Sequence, residues 1–379
     1  MAIAVQVSPN ASLRATTSFY RPELDALRFL AFLAVFIHHS LPKEADFYSE
    51  RGIPQVVAAF IATTANAGNF GVDLFFLLSS YLITTLLLRE REAKGKIDIK
   101  SFYIRRILRI WPLYFLALAI GEAWQWIVPG DALSWQYVVA YMLLVGNWMH
   151  VFFGERSSIM LILWSVAVEE QFYLTWPALL RKINTRQMLI RFGVALWIGT
   201  ITARYCFAKA GFTGAGIGHN TLTRLDTIAA GILMAAVLNG NVIRFSTVNR
   251  IGFAAAGIGG FIFSAYQFSY GLPAVIWSYT LVALSSVMLF LSFIGVTGFP
   301  RAMVYLGKIS FGLYIFHRLC LRVSGFIWGA HMKSYAGYAG LMITAFCLTV
   351  LISMLSYKVY ESPFLRLKER FAKVQSRPV

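Results

Sequence analysis

Eleven apolar runs, each near the length needed to cross a bilayer, follow one another along almost the whole of this 379-residue chain. They fall near 24–41, 70–88, 107–128, 135–153, 160–180, 188–208, 222–239, 251–268, 274–297, 304–328 and 337–360. A membrane helix needs about 20 apolar residues, and in lipid only helices and closed barrels satisfy their own backbone polar groups. Repetition at this length, with 58% hydrophobic and 13% charged residues, predicts an all-α polytopic integral membrane protein. Connections are short, so residues 21–363 read as one membrane domain. Residues 1–20 form a polar cytoplasmic N-terminal segment without the marks of a cleaved signal peptide. Residues 364–379 are a basic cytoplasmic tail, after which no soluble domain is expected.

The net charge of +17 could suggest nucleic acid, but its distribution argues against that partner. Eight Lys/Arg lie between Arg89 and Arg109, four between Arg181 and Arg191, and five between Arg366 and Arg377. The intervening loops at 42–69, 129–134, 209–221, 267–273 and 329–336 hold only Lys43, Arg51, Lys209 and Lys333. This alternation is the positive-inside pattern of a membrane protein. It also raises a parity problem, because the basic loops at 89–109 and 181–191 must be separated by an even number of spans. Three runs lie between them, so 135–153 or 160–180 is re-entrant or half-crossing, which is tolerated where such a segment is buried in protein. The expected architecture is about ten transmembrane helices plus that segment, with both termini cytoplasmic.

Ionisable residues inside these runs are costly and mark substrate paths or reacting centres. The first run carries Asp25, Arg28, His38 and His39. Arg28 and His39 are eleven residues apart, almost three helical turns, and share one face about 16 Å apart along the axis. His38 points roughly 80° away from that line. Asp73, near the outer start of the second run at a depth expected to match His39, reads either as a helix N-terminal carboxylate or as a group that orients an imidazole. Arg105, Arg106 and Arg109 form one helical patch, suited both to anionic headgroups and to bidentate phosphate binding. Glu169 and Glu170 sit in an apolar segment and read as cavity lining or as an interhelical salt bridge. Ser165, Glu169 and Tyr173 share a face. Arg224 and Asp226 read as a local ion pair, and His317, followed by Arg318 and Arg322, as a candidate cavity residue. His150, His219 and His331 carry no specific signal. Cys206, Cys320 and Cys347 are scattered without metal-ligand spacing, and no metal is predicted.

Taken together, these segments resemble the acyltransferase family 3 membrane proteins, which acylate carbohydrates and related hydroxyl acceptors. The resemblance runs from about Tyr20 to Pro363. It is carried by Arg21-Pro-Glu-Leu-Asp-Ala-Leu-Arg28 leading to His39, Gly71-Val-Asp-Leu-Phe-Phe76 leading to Ser79-Ser-Tyr-Leu82, Phe102-Tyr-Ile-Arg-Arg106 with Arg109-Ile-Trp-Pro112, Trp164-Ser-Val-Ala-Val-Glu-Glu-Gln-Phe-Tyr173, and Ser310-Phe-Gly-Leu-Tyr-Ile-Phe-His317. One departure is visible: Ser80 stands where the family usually has glycine. The chain also reads as a stand-alone version, without the hydrolase-like C-terminal domain that some members append.

The resemblance implies a protein of the bacterial inner membrane that moves an acyl group, commonly acetyl, from cytoplasmic acyl-CoA to a carbohydrate or glycoconjugate hydroxyl on the extracytoplasmic side. The family's arginine–ten–histidine motif falls on Arg28 and His39, with His39 as the catalytic histidine, and its Arg-x-x-Arg motif on Arg106 and Arg109. On this reading His39, Asp73 and Glu169 are catalytic, while Arg28, Arg105, Arg106 and Arg109 hold the donor. Ser165, Glu170, Tyr173 and His317 line the cavity. The competing reading is a transporter or flippase for a lipid-linked sugar, in which the same groups form a proton or substrate path.

Overall fold

The computed structural model describes residues 19–124, 126–128, 133–154, 158–212, 214–268, 271–332, 334–372 and 374. Most of the expected N-terminal segment and the end of the basic tail therefore lie outside the described residues. The described chain is helical, with no strand. In order, the helices are α1 (Pro22–Ser40), α2 (Ala45–Ser49), α3 (Gln55–Ala67), α4 (Gly71–Lys94), α5 (Ile99–Trp124), α6 (Trp135–Met142), α7 (Gly146–Phe153), α8 (Leu163–Lys182) and α9 (Arg186–Lys209). They continue with α10 (Ala215–Gly218), α11 (Leu225–Leu238), α12 (Thr247–Gln267), α13 (Leu272–Phe293), α14 (Arg301–Lys308), α15 (Ser310–Trp328), α16 (Tyr335–Ser356) and α17 (Ser362–Glu369).

Among the described residues, five helical segments are both long and apolar enough to cross a membrane: Gln55–Lys94, Ile99–Trp124, Thr247–Gln267, Ala274–Phe293 and Tyr335–Glu369. Four more, α1, α8, α9 and α15, have 19 to 24 residues but carry ionisable side chains. The apolar α11 has only 14 residues, about 21 Å of helix at 1.5 Å per residue, and a 3-10 turn (Thr221–Thr223) precedes it. Residues 135–153 break at Leu144, whose φ is +61°, into two eight-residue helices of about 12 Å each, too short to span. Residues 163–182 form one continuous 20-residue helix. The expected run 304–328 is also divided, because α14 ends at Lys308 and α15 begins afresh at Ser310.

Local chemistry sets these boundaries. Gly95 adopts φ +71° and its N–H closes on the Arg91 carbonyl, ending α4 as a left-handed C-terminal cap does. Asp98 then opens α5 by accepting from Ser101 N at 3.0 Å and Ser101 Oγ at 2.6 Å. Thr185, Ser246 and Ser334 accept backbone N–H groups in the same way at the starts of α9, α12 and α16.

The bundle centre is α4, packed between α1, α11 and α13, while α15 and α16 close the other side of α1. Two glycines allow the approach of α4 to its neighbours. A Cβ on Gly71 would sit 2.3 Å from the Ala31 carbonyl oxygen of α1, and one on Gly231 of α11 would sit 1.9 Å from Ser80 Oγ. The departure at Ser80 is thus accommodated by a glycine on the facing helix. Ser80 itself is fully buried and bonds back to the Leu77 carbonyl at 3.1 Å.

Candidate active site

Helix α1 carries Arg28 and His39 on one line, and the bundle surrounds that line at two levels. At its C-terminal end, His39 Nδ1 lies 3.0 Å from His317 Nε2 on α15. His317 is fully buried, and its Nδ1 faces the Tyr314 carbonyl one turn earlier at 2.5 Å. His39 is only half-buried. His38 turns away, as its phase predicts, and bonds the Ala65 carbonyl of α3 at 3.1 Å.

Deeper along α1, Arg28 Nη2 donates to Ser79 Oγ of α4 at 3.4 Å. Arg28 and Glu169 line two adjoining cavities, which also share Phe311. The larger, of about 110 Å³, is walled by Tyr20, Arg21, Asp25, Arg28, Ser79, Arg106, Arg109, Glu169, Tyr173 and Lys368 together with apolar side chains. The smaller, of about 50 Å³, runs on between Val72, Phe75, Phe76, Ser165, Val166 and Tyr314. Tyr314 closes its far side: the hydroxyl is 2.7 Å from Ser165 Oγ and donates to the Ile162 carbonyl at 3.0 Å. The carbonyl of the same residue holds His317. Thus a cavity opening among guanidinium groups narrows toward the residue that fixes the histidine pair.

The electrostatics of the larger cavity are unbalanced. Arg28, Arg106, Arg109 and Lys368 form no ion pair among the described residues. On the cavity wall positive charge outnumbers negative, with Arg21, Arg28, Arg106, Arg109 and Lys368 against Asp25 and Glu169. Of the two acids on that wall, Glu169 accepts from the Tyr173 hydroxyl at 2.9 Å.

Several sequence expectations change here. Arg105 does not line the cavity. It donates to Glu90 Oε2 at 3.0 Å and to the Phe371 carbonyl at 2.8 Å, fastening the segment after α17 to α4. Glu170 points away from Glu169, as adjacent helical residues do, and accepts from Trp111 Nε1 at 2.9 Å. Glu170 and His317 line neither cavity, whereas Ser165 and Tyr173 do. Asp73 is not at the depth of His39. Its neighbour Gly71 packs on Ala31, eight residues or about 12 Å below His39 along α1. Asp73 Oδ2 instead accepts from Arg224 Nη2 at 2.7 Å and Oδ1 from Thr227 Oγ1 at 3.0 Å. Arg224 therefore pairs across the bundle and not with Asp226. Asp226 accepts from Arg204 at 2.7 Å. Neither Asp73 nor Glu169 is hydrogen-bonded to His39.

Among the polar wall residues that the sequence does not single out are Lys368, Ser79 and Tyr314. Lys368 sits among tail cations and looks like one of them, yet it is buried at 8% exposure against the cavity. Tyr314 lies within the Ser310–His317 motif, three residues before the histidine, a spacing that places both on one helix face.

Comparison with known proteins gives the same family as the motifs. The acyltransferase domain family matches residues 21–358. A Staphylococcus aureus protein named as a putative O-acetyltransferase is 27% identical over 370 residues, covering 91% of this chain and 57% of the relative. The peptidoglycan O-acetyltransferase OatA of Listeria monocytogenes is 29% identical over 238 residues, 58% of this chain and 34% of that protein. A Bacillus subtilis protein named as a putative peptidoglycan O-acetyltransferase is 33% identical over 177 residues, 42% of this chain and 24% of its own. The chain thus spans little more than half the length of the first of these relatives. No solved structure matches it.

Proposed function

The chain belongs to the acyltransferase domain family over residues 21–358, and from that premise we propose that it is a membrane O-acyltransferase. It moves an acetyl or other short acyl group from acyl-CoA to a carbohydrate hydroxyl. The observation that carries this reading is the cavity lined by the unpaired Arg28, Arg106, Arg109 and Lys368, narrowing past Ser165 to Tyr314 beside the His317–His39 pair. Guanidinium groups are suited to bidentate phosphate contacts. Phosphates of the donor sit at Arg106, Arg109 and Lys368, and its extended thiol arm passes Arg28 toward His39. The peptidoglycan named for two relatives supports a glycan acceptor.

At the reacting end, neutral His39 takes the proton of the acceptor hydroxyl. The alkoxide oxygen adds to the thioester carbonyl, the C–S bond breaks, and the thiolate recovers the proton from His39. The products are an O-acyl sugar and a free thiol, with no net change in protons.

The basic loops support a ten-span topology made by α1, α4, α5, α8, α9, α11, α12, α13, α15 and α16, with α6 and α7 as the re-entrant segment. Both termini then face the cytoplasm of a bacterial inner membrane. The donor cavity opens on the basic, cytoplasmic side and His39 stands toward the other.

The test is thiol release from acetyl-CoA by the protein in proteoliposomes, with a glycan acceptor analysed by mass for O-acetyl groups. Release that depends on acceptor and is lost in His39→Ala is expected. Transport of a lipid-linked sugar with no thiol release from acetyl-CoA would overturn the reading.

A further inference from the structure

His39 and His317 come from helices 278 residues apart in sequence, yet they meet ring to ring, with centroids 5.0 Å apart. The hydrogen-bond chain through them has a direction. The Tyr314 carbonyl can only accept, so the His317 Nδ1 facing it carries a proton. In a neutral imidazole the other nitrogen is then a bare acceptor. His317 Nε2 therefore accepts, and His39 Nδ1 must be the donor across the 3.0 Å contact. It follows that neutral His39 is unprotonated at Nε2. Among the described residues that nitrogen has no hydrogen-bond partner, and it is not sealed from its surroundings, since it is not among the buried unpartnered atoms.

Surroundings favour a fixed arrangement. His317 is fully buried, Phe32 of α1 meets its ring edge-on at 6.1 Å, and the Tyr314 ring lies 5.6 Å away. The Tyr314 hydroxyl is tied to both Ser165 and the Ile162 carbonyl, so the carbonyl that starts the chain sits on a braced turn. Among the described residues, no carboxylate is hydrogen-bonded to either imidazole. The place that a carboxylate fills in many base–orienter pairs is taken here by a second histidine.

We propose that His317 is the positioning residue for His39. Held by the Tyr314 carbonyl, it accepts the His39 Nδ1 proton and fixes the tautomer in which His39 Nε2 is free to take a proton from the acceptor hydroxyl. When His39 becomes imidazolium, the same contact becomes a charge-assisted bond from Nδ1–H to His317 Nε2, and the proton on His39 Nε2 goes to the departing thiolate. His317 gains and loses nothing overall. This role rests on the acyltransfer reading of the site, but the tautomer does not.

Two variants and one spectrum test it. His317→Phe keeps a planar ring but cannot accept a hydrogen bond, whereas the amide oxygen of His317→Gln can take the place of Nε2. In the full-length protein, His317→Phe is expected to lower kcat by roughly 10²–10⁴-fold, the scale of a base lost or held in the wrong tautomer. Donor KM should stay within about threefold, because the phosphate-binding residues are untouched. His317→Gln is expected to recover at least tenfold over His317→Phe, which a merely space-filling role would not produce. Nitrogen NMR of ¹⁵N-histidine-labelled protein, with His39 assigned by its loss in His39→Ala, should show His39 protonated at Nδ1 in the wild type and not uniquely so in His317→Phe. Full kcat in His317→Phe, equal losses in the Phe and Gln variants, or a wild-type His39 protonated at Nε2 would each overturn the proposal. Full activity of His39→Ala would instead bring down the general-base reading, and the spectrum would still decide the tautomer.

Discussion

Two regions of this bundle bury charge, and they do so in opposite ways. Around the start of α11, Asp73 pairs with Arg224 and Asp226 with Arg204, both at 2.7 Å, with each side chain at 1% exposure or less. All four carboxylate oxygens have partners, since Asp73 Oδ1 accepts from Thr227 Oγ1 and Asp226 Oδ1 from the Thr227 backbone N–H. Arg204 also donates to Thr280 and the Thr223 carbonyl, and the Arg224 guanidinium lies 4.0 Å from the centre of the Tyr279 ring. In the cavity below Arg28, by contrast, four cations line open space without forming an ion pair. Paired charge holds helices in register, whereas unpaired charge beside a cavity leaves room for an anion from outside. The pairing, and not the mere presence of ionisable groups in apolar helices, separates scaffold from site.

That contrast is most exposed to failure at His39. His39→Ala should reduce turnover by roughly 10²–10⁴-fold while thermal stability in detergent and donor binding stay near wild type, as measured by thiol release and by unfolding scans. Asp73→Ala should behave the other way. Breaking one partner of a buried pair costs about 3–5 kcal/mol, so its unfolding temperature should fall steeply. If Asp73→Ala kept wild-type stability and lost only kcat, Asp73 would belong to the site and the contrast would collapse.

Arg106→Ala addresses the other half of the comparison. A charge-assisted contact to phosphate contributes about 1.5–3 kcal/mol, so donor KM should rise roughly 10- to 100-fold with kcat little changed. Because Arg106 has no ion partner to orphan, stability should hold or improve. A fall in stability with unchanged donor KM would mark it as a scaffold residue like Arg224.

How much of this was legible in the sequence follows the range of each interaction. Arg28 and His39 lie on one helix, so the 3.6-residue period puts them on one face, and the loop charges leave 135–153 or 160–180 as the odd segment. The period cannot see across helices. It groups Arg105 with Arg106 and Arg109 because all three share a helical patch, while Glu90, which removes Arg105 from the cavity, lies on α4. Asp73 and Arg224 are 151 residues apart, and the local reading pairs Arg224 with its neighbour Asp226. His317 stands out as an intramembrane histidine, but its contact with His39 exists only once α15 packs on α1. The break at Leu144 is a backbone event in an otherwise apolar run, and parity narrows it to two segments without choosing between them.

The smallest expected effect sets Lys368 against Arg105, two basic residues whose places are the reverse of the sequence reading, which assigns the donor to Arg105 and passes over Lys368. Lys368 is buried against the cavity as a flexible point charge, so Lys368→Ala should raise donor KM by about fivefold, equivalent to about 1 kcal/mol. An ammonium contact is an electrostatic one, so raising the salt concentration should shrink the difference from wild type. Arg105 is occupied by Glu90 and the Phe371 carbonyl. Arg105→Ala should therefore leave donor KM within about twofold and lower thermal stability instead, because Glu90 loses its cation and the chain after α17 loses its tie to α4. Donor titrations of both variants at low and high salt decide the matter. If Arg105→Ala weakened the donor more than Lys368→Ala did, the division between occupied and unoccupied cations would not describe how this cavity binds phosphate.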